Sequence, residues 1–168
     1  MKTLLIIADT HMPKRAKNIP SKLEKVLLEG VDLIIHAGDI QTKEMHNKFK
    51  QYAGVYAVYG NVDEEQLRQE LPLRTIFEIE GVRIGLTHGH GKTKTTQKRA
   101  LELFDVDQVD VIIYGHSHIP VVKKVDTIVM FNPGSATDKR RQEKFSFGKM
   151  TINEGTFELE HIFYSSKE

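Results

Sequence analysis

Thr3-Leu4-Leu5-Ile6-Ile7-Ala8-Asp9-Thr10-His11 carries the pattern from which the rest of the chain can be read. A short apolar run of this kind reads as a strand. It stops abruptly at Asp-x-His. The run is too short for a secretory signal and no small-residue cleavage site follows it, so it reads as the first strand of a cytoplasmic protein. The same arrangement recurs four times. Leu33–Ala37 runs into Gly38-Asp39, and Val55–Tyr59 into Gly60-Asn61-Val62-Asp63. Ile84–Thr87 runs into His88-Gly89-His90, and Val111–Tyr114 into Gly115-His116-Ser117-His118. Ligands of α/β sheets bind outside the carboxyl ends of parallel strands. If these five strands share a sheet, their tips bring two Asp, one Asn and up to five His to one edge.

Between the strands lie helical patterns. Asn18–Glu29 places Ile19, Leu23, Val26 and Leu27 at helical spacing, and Gly30 follows as a stop. Thr42–Lys50 reads as a helix capped by Thr42. Asp63–Glu70 and Thr93–Phe104 read as two more helices. Arg74–Glu80 and Val82–Thr87 flank a hairpin turn at Glu80-Gly81, with further strands at Val121–Val125 and Ile128–Phe131. Phe145–Ile152 and Thr156–Phe163 form a last hairpin. Strand–helix alternation in the first half predicts parallel strands with helical crossovers. Hairpins dominate the second half. The expectation is a mixed α/β fold, with two sheets packed together and helices outside, in a single domain over 1–168.

Composition narrows the chemistry. The 168 residues carry 24 Lys+Arg against 23 Asp+Glu, a net charge of +1, which argues against a stable nucleic-acid complex. No apolar run reaches the roughly 20 residues of a membrane helix, so no membrane association is expected. The chain has no Cys, which excludes a disulfide framework, thiolate metal sites and a Cys nucleophile. Clustered carboxylates repel one another, and buried charge must be paired or bound to metal. Oxygen and imidazole donors without sulfur suit Mn, Fe, Co, Ni or Zn. Seven or eight candidate ligands can hold two such ions, the usual clamp for phosphoryl displacement.

In this order, Asp9-x-His11, Gly38-Asp39, Gly60-Asn61, His88-Gly89-His90 and Gly115-His116-x-His118 resemble the calcineurin-like metallophosphoesterases. Gly60-Asn61-Val62-Asp63 and Asn132-Pro133-Gly134-Ser135 resemble the compact phosphodiesterase branch of that family in bacteria and archaea. The resemblance implies a four-layer αββα sandwich of two mixed β-sheets flanked by helices, with the metal site at the carboxyl ends of the strands. It implies two divalent metal ions, Mn²⁺ first among the choices and Ni²⁺, Co²⁺, Fe²⁺ or Zn²⁺ as alternatives. Asp9, His11 and His118 would hold one ion, Asn61, His88 and His116 the other, and Asp39 would bridge them. A hydroxide between the ions would attack phosphorus in line. Many members carry a His after the Gly-Asn pair to assist the leaving group. Here Val62 stands there, while the Asp63 that would orient such a His remains. The compact branch commonly lacks that His. His90 is the nearest sequence candidate for the catalytic donor.

Other polar residues have plainer readings. His36 reads as a core residue or a hydrogen-bond support beneath the ligands, and His46 and His161 as ordinary surface residues. Asn132-Pro133-Gly134-Ser135 reads as a turn that supports the site, and Arg140-Arg141 as a solvated loop ahead of a phosphate grip. Phe145, Phe147, Phe157 and Phe163 of the last hairpin read mainly as core, with a self-association face and a homo-oligomer as the alternative. The expected function is a metal-dependent phosphodiesterase, a phosphoric diester hydrolase acting on a small phosphodiester. Diesterase rather than monoesterase activity rests on the resemblance. The alternatives are phosphomonoesterase activity at the same site and a metal-binding protein-interaction scaffold of the same fold.

Overall fold

The computed structural model describes residues 1–168 and builds two five-stranded sheets packed face to face. In chain order the elements are β1 (Lys2–Ile7), α1 (Ser21–Glu29), β2 (Leu33–His36), α2 (Lys43–Lys50), β3 (Gly54–Ala57), α3 (Glu65–Glu70), β4 (Arg74–Ile79) and β5 (Val82–Thr87). There follow α4 (Thr96–Glu102), β6 (Val111–Ile113), β7 (Val121–Val125), β8 (Ile128–Asn132), β9 (Phe145–Asn153) and β10 (Thr156–Tyr164). One sheet has the order β10-β9-β1-β2-β3 and the other β4-β5-β6-β8-β7. No helix is long and apolar enough to cross a membrane.

Both sheets are parallel at the centre and antiparallel at an edge. β1, β2 and β3 run parallel, as do β5, β6 and β8. The hairpin β9–β10 extends the first sheet through an antiparallel β1–β9 pairing. β4 and β7 pair antiparallel at the edges of the second. The five motif-bearing strands therefore do not share one sheet. Three belong to the first and two to the second, and the site forms where the tips of the two parallel centres meet.

The apolar run of β1 follows from the layering. Leu5 and Ile7 face outward, into a core that α1, α2 and α3 fill with Leu23, Leu27, Met45, Phe49 and Leu67. Leu4 and Ile6 face inward and pack between the sheets with Ile35, Ile84, Leu86, Val111, Ile113 and Phe131. Successive strand residues point to opposite faces, so a strand covered on both sides carries apolar residues throughout. A smaller core, with Ala100 and Phe104 against Ile112, Tyr114 and Met130, covers the outer face of the second sheet. Four layers result, as the resemblance implied. Phe145 and Phe147 are core and Phe157 packs on the inter-sheet core, while Phe163 remains 48% exposed.

Three helices start later than their sequence pattern. α1 begins at Ser21, with Pro20 at its cap position. Instead of opening α3, Asp63 uses its carboxylate elsewhere, as described below. The start of α4 moves to Thr96 because Thr95 takes the capping role at the Lys98 N–H. Thr42 does cap α2, by accepting from the Met45 N–H at 3.2 Å.

His46 corrects its surface reading. It is 4% exposed on the inner face of α2, and neither ring nitrogen has a partner. Burial, followed by the charges of Lys50 and Lys43, pushes its pKa down to about 4. The folded state thus holds His46 neutral, whereas the unfolded chain takes up its proton near pH 6.5. Stability attached to His46 is intact above that value and falls as the pH drops toward 4. His46→Leu should shrink the loss of Tm between about pH 8 and pH 5, measured by thermal denaturation at both pH values.

Candidate metal centre

The site is assembled from strand ends that turn sharply. Asp9, His11, Asp39, His116 and His118 all have positive φ, between 42° and 72°. A left-handed conformation in a non-Gly residue costs on the order of 1–3 kcal/mol, and such residues cluster at functional sites. Asp and His are among the side chains that tolerate it best. Each turn takes the chain out of its strand and directs a polar side chain toward the gap between the sheets. At two positions glycine is required by space. A Cβ at Gly60 would lie 2.1 Å from Asp39 Oδ1, and one at Gly38, with φ +96°, would lie 2.6 Å from His88 Nδ1.

Two groups of donors converge there, Asp9 with His11 and His118, and Asp9 with Asp39 and His88. His118 Nε2 lies 3.6 Å and His11 Nε2 3.9 Å from Asp9 Oδ1. Asp39 Oδ2 lies 3.5 Å from His11 Nε2 and 3.1 Å from His88 Nε2. Asn61 Oδ1 reaches His88 Nε2 at 3.1 Å, and the His116 ring stands 5.2 Å from the His88 ring. All seven residues singled out by sequence as ligands meet in this gap. The outer oxygens and nitrogens are tied to the protein. Asp9 Oδ2 accepts from the His116 N–H, and Asp39 Oδ1 from the Val62 N–H. The Nδ1 atoms of His88 and His118 face the carbonyls of Ala37 and Asp138, at 2.8 Å and 2.6 Å. Metal-binding imidazoles are commonly oriented by this kind of bond.

The inner atoms lack partners. Asp9 Oδ1, His11 Nε2 and His118 Nε2 are buried and have no hydrogen bond. Leaving a buried polar atom unpaired costs about 1–3 kcal/mol. A divalent cation would satisfy all three, and a sulfur-free oxygen and imidazole set suits one. The residues therefore fit the ions that the sequence motif implies.

Charge supports the same conclusion. Burial, reinforced by the nearby Asp39 charge, pushes the Asp9 carboxyl up. Burial opposes charge on Asp39 and on His88, but contact with His88 outweighs it and holds Asp39 low, while the charge of Asp9 and then contact with Asp39 outweigh it and push His88 up. Without a cation, the cluster relieves its negative charge with protons. Burial pushes His116 and His118 down to about 4, so both are neutral and ready to bind metal at neutral pH.

Three residues brace the turns, and for Asp63 no sequence pattern indicated such a role. Asp63 accepts three backbone N–H bonds, from Asp39 at 3.0 Å, Gln41 at 2.6 Å and Gly60 at 2.7 Å. With no His at position 62 to orient, it fastens the Asp39 turn to the Asn61 turn. Asn132 donates to the Gly115 carbonyl and to Ser117 Oγ, which fixes the His116–His118 turn. Ser135 donates to the Asp9 carbonyl at 2.7 Å. The turn at 132–135 thus supports the site, as its motif indicated. His161 was read as a surface residue, but it stacks on Phe131 and bonds the Asn132 carbonyl. His36 is fully buried, accepts from the Gly38 N–H and bonds Thr10 Oγ1, which makes it a support beneath the ligands.

His90 lies at the margin. Its ring is 5.4 Å from the His88 ring and 6.2 Å from the Tyr59 ring. Burial, then the His88 charge, holds its pKa below the ordinary value. Val62 is 45% exposed.

A fold of two packed sheets with a carboxylate–imidazole cluster at the strand tips defines a class of metal-dependent phosphoesterases. Residues 1–155 match the calcineurin-like phosphoesterase superfamily domain, and the chain belongs to that family. It is 37% identical over 139 residues to a probable metallophosphoesterase of Methanothermobacter thermautotrophicus, covering 80% of this chain and 77% of that one. It is 38% identical over 136 residues to a second from Methanocaldococcus jannaschii, covering 80% and 68%. Among solved structures it resembles a novel archaeal phosphodiesterase with a TM-score of 0.72, at 25% identity over 95% of this chain and 99% of that one. It also resembles Vps29 of Entamoeba histolytica in complex with Zn²⁺, with a TM-score of 0.77 and 27% identity over 96% and 98%.

Asp63→Ala would strand three N–H groups and should lower stability by roughly 3 kcal/mol or more. Asp63→Asn keeps an oxygen for part of the set and should lose less. Urea denaturation of the two variants beside the parent chain measures both effects.

Proposed function

We propose that this protein is a phosphodiesterase that uses two divalent cations, with Mn²⁺ as the activating ion, on a small substrate. The observation that carries this reading is the convergence of Asp9 Oδ1, His11 Nε2 and His118 Nε2, buried and unpartnered, beside the Asp39–His88 pair. Asp9, His11 and His118 would hold one cation and Asn61, His88 and His116 the other, with Asp39 shared. Cations in such a site neutralise charge on the phosphate oxygens and make water nucleophilic at neutral pH. The protein supplies rigid placement. Asp63, Asn132 and Ser135 hold the turns that carry the ligands, so little rearrangement is needed when the substrate binds. His90, beside His88, would donate a hydrogen bond to the oxygen of the departing ester arm. With its pKa lowered it acts chiefly as neutral imidazole, a weaker donor than imidazolium.

Metal-stripped protein should hydrolyse bis(p-nitrophenyl) phosphate only after Mn²⁺ is added. Asp39→Asn should lower that rate roughly 100-fold or more, since even residues that merely support ligands cost up to that much. Folded parent protein without turnover in Mn²⁺, Ni²⁺, Co²⁺ or Zn²⁺ would overturn the diesterase reading. His90→Ala should reduce kcat little for p-nitrophenyl diesters, whose leaving group needs no help. For alkyl diesters the loss should be larger, roughly 10-fold, the worth of a hydrogen bond to an oxygen that gains charge. Equal losses on both substrates would remove His90 from the reaction.

A further inference from the structure

We infer that the cleft beside His90 receives the departing arm of the diester and favours an arm with an apolar face. This rests on the phosphodiesterase reading and deepens it. The cleft has a volume of about 450 Å³ and lies between the turn after β5 and the helix α4. That volume falls in the range of small-ligand sites, about 300–1,000 Å³.

The first argument is continuity. His90 lines the cleft, and its ring stands 5.4 Å from the His88 ring. His88 Nε2 in turn lies 3.1 Å from Asp39 Oδ2, in the carboxylate cluster. A phosphate at that cluster with one ester oxygen toward His90 carries the group on that oxygen into the cleft.

The second argument is charge. The cleft is lined by two cations, Lys94 and Arg99, and both are already engaged. Lys94 Nζ bonds both carboxylate oxygens of Glu102, at 2.9 Å and 2.6 Å. Arg99 bonds the carbonyls of Gly89, Thr93 and Lys94, and the Thr96 hydroxyl. These bonds fix the turn that carries His90, and Arg99 packs so closely that a Cβ on Gly91 would lie 2.4 Å from its Cδ. Glu102 offsets only one of the two cations, so the cleft keeps a net positive charge that draws in the anionic diester.

The third argument is surface character. Leu73 and Leu103 line the cleft and are 41% and 37% exposed. They are the two apolar side chains of the lining, and an aryl or nucleoside-like group in the cleft can cover them. Burial of apolar area is what such a lining offers a ligand.

The test uses the Mn²⁺-loaded protein with bis(p-nitrophenyl) phosphate and methyl p-nitrophenyl phosphate, which share a departing arm. Leu73→Gln and Leu103→Gln are neutral changes at exposed positions, so neither repels the phosphate and neither opens the core. Each should raise KM for both substrates roughly 3- to 10-fold, the effect of losing one or two covered methylenes. Val106→Gln, exposed and outside the cleft, should leave KM unchanged. Unchanged KM in both Gln variants, or a rise confined to the bis-aryl substrate, would overturn the assignment of the departing arm. Absence of turnover in the parent protein is a separate result and would remove the diesterase reading itself.

Discussion

The proximity of Asp9 and Asp39, both buried between two sheets, governs everything else about the site. Two carboxylates cannot share a dry gap with both charges uncompensated. The structure surrounds them with imidazoles, and the charges respond. Asp9 is pushed toward its neutral form, and His88 toward its charged form. That proton arrangement is a substitute for a cation, and the unpartnered atoms facing Asp9 mark where a cation belongs.

Such a cluster persists only because the surrounding backbone leaves it no alternative. Five ligand candidates sit in left-handed turns, a conformation the chain would not adopt unaided. The strands on either side are locked into parallel sheets with apolar residues on both faces, so the strain falls on the tips. Side chains then brace the tips. Asp63 joins the second and third turns, Asn132 holds the turn after β6, and Ser135 holds Asp9. With Val62 beside it, Asp63 has no imidazole at that position to orient, yet its three hydrogen bonds fix the turns that carry Asp39 and Asn61.

Next to His88, the turn carrying His90 is held by Arg99 and borders a cleft whose lining includes Leu73 and Leu103. A hydrogen bond to the leaving group and recognition of the substrate arm would then be combined in one loop.

The strands, most helices and the seven polar residues that converge were legible in the sequence, because each short apolar run ends in a polar tip that stands out. Thr42 announced its cap, and the order of the motifs announced the family. Other features depend on partners distant in sequence. The split of five strands between two sheets follows from pairings such as β1 with β9 and β6 with β8, which no local pattern specifies. His46 and His161 looked like surface residues because short helical and strand patterns do not reveal what packs over them. Asp63 looked like a helix start because two of the N–H groups it binds, those of Asp39 and Gln41, lie 24 and 22 residues away. The order of residue types along the chain pointed to the polar side chains that converge. Which of their atoms face one another was settled only in three dimensions, because it depends on long-range strand pairing and on braced turns that backbone strain would otherwise undo.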